Sequence, residues 1–154
     1  LLFLLVGLLS ACNTGIEPKE NLGEIYSVAL DSLMKQDEAL NSDMEYIAID
    51  LSNSEEVDEN DKKEILNYFK EKYKVNVMDA TLEQLEENGL YNPEIMLLDG
   101  VLLKIEKVDF KFNNKILFEG SKYRSGLGAI GVEVKVHYQD HKWKAKEVKM
   151  TWIS

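Results

Sequence analysis

Scarcity is the first information in this chain of 154 residues. It holds one cysteine and two prolines, and 18 Lys and Arg side chains stand against 28 Asp and Glu, a formal charge of -10. A single Cys excludes an intrachain disulfide framework and any zinc cluster built on cysteines. The deficit of basic charge sets a mean field that repels phosphate, so the chain as a whole is a poor binder of nucleic acid or of an anionic membrane. There is no internal repeat, no low-complexity tract, and no apolar run of the roughly 20 residues that cross a bilayer. No cofactor or metal is expected. The length suits one domain with a real core.

The charge that is present is uneven. Residues 13–99 carry 7 basic and 22 acidic side chains, a net of -15; residues 100–154 carry 11 and 6, a net of +5. The chain opens on Leu1 to Cys12, where nine of the first eleven residues are apolar and none is charged. This stretch reads as the apolar part of a signal peptide, residues 1–11, with its basic flank and initiating Met lying upstream. Residues 12–19 read as a polar tether carrying Gly15 and Pro18. Residues 20–154 read as a single domain.

Leu9-Ser10-Ala11-Cys12 resembles the lipobox of bacterial lipoproteins, an aliphatic residue and two small ones before Cys. The resemblance implies lipid transfer to the Cys12 thiol, cleavage before it, and anchoring on the extracytoplasmic face of the cell membrane. Two acyl chains hold durably where one is marginal. The whole-chain pattern is similar to small lipoproteins of Gram-positive bacteria that close on a Gly-rich hairpin and a Trp-containing last strand, a group without an established activity.

The domain reads as α+β. Leu22, Ile25, Tyr26, Ala29 and Leu33 mark one face of a helix over about 20–39. Met44 to Leu51 fits strand or helix, and its β-branched and aromatic content favours a strand. A helix over 59–73 carries the stripe Ile65, Leu66, Phe69 and Tyr73, with acids at its start and lysines at its end. Val75 to Met78 is a short strand. Thr81 to Gln84 is a capping box for a helix that Gly89 stops, and Asn92-Pro93 makes a turn. Beyond Gly100 come four strands: 101–112, 115–119, 132–138 and 143–153. Asn113-Asn114 and Gln139 to Lys142 supply tight turns. Leu103 and Ile105 are odd-numbered, then Val108, Phe110 and Phe112 even; Trp143 and Ala145 switch likewise to Val148, Met150 and Trp152. Each switch of phase marks a bulge or a change of face. The expectation is a bent antiparallel sheet, formed mainly by this four-strand meander, wrapping N-terminal helices as in a nuclear-transport-factor-2-like or cystatin-like cone.

One segment stands out for function. Gly120 to Gly131 holds four of the nine glycines, with Lys122, Tyr123, Arg124 and Ser125 among them. It reads as a loop or set of bulges that uses positive φ, and Lys122, Tyr123, Arg124, Ser125, Gly126 and Gly128 are the expected contacts of a ligand or partner. Other constellations are weaker. Ser121 and Lys122 point to opposite faces of a strand and cannot share a proton. His137 and His141 with Asp140 read as solvated groups near a turn, and nothing in the spacing of Asp109, Ser125 and His137 calls for a triad. Asp58 to Asp61 lacks the spacing of a calcium loop and reads as a helix cap. Tyr123, Tyr138, Trp143 and Trp152 read mainly as core. The reading is a lipid-anchored binding or interaction module without a catalytic motif, its partner an envelope protein or a small ligand. The alternative is a small hydrolase or isomerase using a pocket in the bent sheet.

Overall fold

The computed structural model describes residues 15–154, so Cys12 and residues 1–11, expected as a signal peptide, lie outside the described residues. Ile16 already packs against the main core, and Pro18–Glu20 forms a 3-10 turn. The chain expected as tether therefore joins the domain from Ile16 on. Ten longer elements follow: α1 (Leu22–Lys35), β1 (Tyr46–Asp50), α2 (Glu59–Tyr73), β2 (Asn76–Asp79), α3 (Leu82–Glu87), β3 (Tyr91–Asn92), β4 (Leu97–Lys111), β5 (Lys115–Ser125), β6 (Gly128–Gln139) and β7 (Lys142–Ile153). No described helix is long and apolar enough to cross a membrane.

The fold is α+β, with N-terminal helices on one side of a sheet dominated by the C-terminal strands. Strand order is β2-β1-β4-β5-β6-β7, with β3 paired to β4, and the sheet does not close into a barrel. It is mixed rather than antiparallel throughout. β1 runs parallel to both β2 and β4, because α2 provides the crossover that a parallel pair needs. β1 lies inside the sheet and is buried at all five residues.

Helix α1 is shorter than the apolar period implies. It stops at Lys35, and after Asp37, whose φ is 45°, a 3-10 turn over Glu38–Asn41 replaces its last turn. Helix α2 has the expected bounds, and Asp58 and Asp61 cap its start reciprocally, each side chain accepting from the other's backbone N–H. The Thr81–Gln84 box is formed in the same way, and Gly89 has φ 73°.

The phase switches are bulges. Pairing between β4 and β5 slips between Ile105 and Lys107, and pairing between β6 and β7 slips between Lys135 and Val136. These slips let each strand keep apolar side chains on the helix side. That side carries Leu103, Ile105, Phe118, Val132, Val134 and Val136, packed against Ile25, Tyr26, Ala29 and Leu33 of α1. Tyr26 meets Phe118 edge-on at 5.1 Å between centroids, an arrangement worth about 0.5–1.5 kcal/mol beyond its buried area. A second core around Tyr46, Leu85, Tyr91, Leu98 and Leu102 sits beneath α3 on the other face.

Candidate functional site

The segment 120–131 is not a loop. β5 runs through to Ser125, and β6 resumes at Gly128, leaving only Gly126 and Leu127 as the turn. Among the described glycines only Gly89 has positive φ; the left-handed residues of the two other hairpins are Asn113, Asn114, Asp140 and His141. The glycines are there for space. A Cβ at Gly120 would meet Leu33 and the Lys104 carbonyl at 2.8 Å, and one at Gly131 would meet the Trp152 indole at 2.0 Å. Glycine thus admits helix α1 above one position and the Trp152 ring above the other.

Lys122 has the parity of Ile116, Phe118 and Gly120, so it points at the helices. It is fully buried, and its ammonium donates to the carbonyls of Met34 at 2.9 Å, Gln36 at 2.7 Å and Asp37 at 3.1 Å. The Met34 carbonyl belongs to the last turn of α1 and the Gln36 carbonyl to its cap, whereas the Asp37 carbonyl also accepts the Leu40 N–H of the 3-10 turn. Burial pushes Lys122 down to about 8, with Asp37 and Glu38 pulling it back up. Arg124 donates to the Leu40 carbonyl at 3.2 Å. The two basic residues thus clamp the chain between α1 and β1, and the expected role of Lys122 as a contact for an external ligand is corrected: its three donors are already spent.

Tyr123 lies on the opposite face. Its hydroxyl is 3.3 Å from that of Tyr91 and donates to the Met96 carbonyl at 3.3 Å. Burial and the Tyr91 hydroxyl push it up to about 12. Ser125 and Gly126 remain at the surface, and the Gly126 N–H donates to the Met96 carbonyl at 2.9 Å. This bond docks the hairpin turn against the turn that precedes β4. Gly128 packs close to Ser125 and Leu40.

That docking assembles a surface the sequence reading missed. Leu127 is 92% exposed, Ile95 65%, and Met96 and Leu97 just under half exposed. Together with Gly126 and Ser125 they border a groove of about 380 Å³. Ser154 donates its N–H to the Ala129 carbonyl, which brings Ile153, also exposed, to the same corner. Met96 has φ 50°, a left-handed backbone that costs a residue with a Cβ about 1 kcal/mol or more. The available signal was Ile95-Met96-Leu97, three apolar residues directly after a Pro-containing turn.

The face of the sheet toward α1, where the alternative reading put a pocket, is filled by the core. The larger cavities are open grooves. One of about 640 Å³ lies between α1 and α2 and includes Glu24, Glu64 and Tyr68. Another of about 720 Å³ follows the end of α2. Among the described residues no cluster of His, Cys, Asp and Glu has metal-holding geometry. Trp143 and Tyr138 pack together at 5.1 Å, whereas Trp152 is half exposed. No protein-family model, curated protein or solved structure matches the chain.

Proposed function

We propose that this protein is a lipid-anchored, extracytoplasmic interaction module that offers the apolar cap of Ile95, Met96, Leu97 and Leu127 to a protein partner. The carrying observation is that four large apolar side chains from two docked turns stand exposed together at one end of the sheet. Isolated exposed apolar residues are ordinary, but a contiguous group marks an interaction surface. The left-handed Met96 supports the same reading, since a Gly there would relieve the backbone at no loss to the core. The cap has no titratable group except Glu94 at its rim, which suits association rather than catalysis.

Chemical crosslinking in intact cells, followed by purification, tests this. Wild type is expected to retain a discrete partner that Leu127→Asp loses, with the fold unchanged by circular dichroism. Met96→Gly is expected to raise stability by about 0.5–1 kcal/mol while weakening the same capture. Equal capture by Leu127→Asp and wild type contradicts the cap as the contact. Anchoring is checked separately by Cys12→Ala, which should release the protein from the membrane fraction or leave it unprocessed.

A further inference from the structure

The opposite end of the sheet has a different chemistry. Eight steps along α1, from Tyr26 to Met34, rise about 12 Å. Four steps of β5, from Phe118 to Lys122, cover about 13 Å. Tyr26 sits on Phe118 and Met34 receives Lys122, so α1 and β5 run side by side in the same direction. The start of α1 is therefore level with Ile116, and the Pro18–Glu20 turn is level with the hairpin tips at Asn113-Asn114 and Asp140-His141. The described chain enters α1 from this end, with Ile16 packed on the core.

Lys111, Lys115, Lys135, Lys142, Lys144 and Lys146 gather at these tips, against Asp109, Asp140 and Glu147. Three lysines are paired: Lys111 with Asp109 at 2.6 Å, Lys135 with Glu147 at 2.9 Å and Lys144 with Asp140 at 3.0 Å. The exposed Lys115, Lys142 and Lys146 have no ion-pair partner among the described residues and leave a local excess of three positive charges. A groove of about 220 Å³ beside Lys115 is bordered by Lys111, Lys115, Lys135, His137 and Glu147. Burial, then Lys115 and Lys146, hold His137 below its ordinary value, with Glu147 opposing them. Phe112, at the turn itself, is 92% exposed. The lead-in to α1 adds the exposed Lys19 against the exposed Glu17 and Glu20. Screening over about 8 Å lets the local excess act despite the acidic body.

We propose that this end is a docking surface for an anionic phospholipid membrane, with the unpaired lysines against lipid phosphates and Phe112 entering the headgroup layer. Juxtamembrane lysines attract anionic lipid, and an apolar side chain on a basic surface adds buried area. This rests on the membrane-anchored reading and deepens it: the tether sets the distance, and the tips set the orientation that turns the apolar cap outward.

The test uses the full chain carrying Cys12→Ser, with a polarity-sensitive dye on Gln139→Cys or, at the far end, on Leu127→Cys. Vesicles are phosphatidylcholine with or without phosphatidylglycerol. The dye at 139 is expected to shift to the blue only with phosphatidylglycerol, to be reversed by salt, and to show no counterpart at 127. Lys115→Gln with Lys146→Gln should weaken the effect roughly thirtyfold, at about 1 kcal/mol for each lysine. An equal shift without phosphatidylglycerol, no shift at 139, or a shift at 127 overturns the proposal. So does reversal by inorganic phosphate at an ionic strength where chloride has no effect, which assigns the groove to free phosphate. Membrane retention of Cys12→Ala in cells overturns the anchoring alone and leaves the vesicle result to stand or fall by itself.

Discussion

An ammonium group with no solvent contact must find all its partners inside the protein, and Lys122 finds three carbonyls for its three N–H donors. Replacing it with Met keeps the stem and takes the ammonium from the Gln36 carbonyl, while Met34 still accepts from Asn41 and Asp37 from Leu40, at a cost of about 1–3 kcal/mol near pH 7. Its pH signature is distinctive. With Lys122 near 8 in the folded state and at its ordinary 10.5 unfolded, the unfolded chain binds more protons between these values. Stability from this group is present above 10.5 and is lost as pH falls through 8. Denaturant midpoints of wild type should therefore climb relative to Lys122→Met from pH 8 upward; a constant difference contradicts the burial of a titrating ammonium. The period-2 pattern already placed Lys122 beside Ile116 and Phe118 on the buried face. The glycines around it masked this, because glycine used for close approach looks in sequence like glycine used for a turn.

At the scale of elements, α1 and α2 are fastened by Asp31. Its carboxylate takes Lys72 at 2.6 Å, the Tyr73 hydroxyl at 2.5 Å and Lys35 at 2.9 Å. Burial pushes this carboxyl up, but the three donors together outweigh it and hold it below its ordinary 3.8. The contribution is present above 3.8 and is lost as pH falls through the lower folded value. Asp31→Asn should cost about 1–3 kcal/mol at pH 7, discounted because Lys72 and Lys35 are partly exposed, and the cost should shrink in acid. An undiminished cost at low pH contradicts the ionic reading. Elements of this kind were legible where local chemistry decides them. Caps, the hairpin turns at Asn113-Asn114 and Asp140-His141 and both bulges follow from spacing alone, and β1 from its β-branched content. The parallel pairing of β1 was not legible, because it depends on a crossover that no local pattern encodes. The extension of β5 to Ser125 was missed for the same reason as Lys122.

Across the whole molecule the charge asymmetry acquires a geometry. The acidic half forms the helices and the basic half forms the meander, with its unpaired lysines gathered at the end where α1 begins. The apolar cap lies at the other end. Composition revealed the two charges, but only the direction of α1 along β5 shows that the start of α1 and the lysines share an end. The most direct test of this two-ended account is a photoreactive amino acid placed at Leu127 or at Phe112 in growing cells. The account predicts a discrete protein adduct from position 127 and lipid adducts from position 112. Lipid adducts from 127, or no protein adduct there with the chain folded and present, would contradict it.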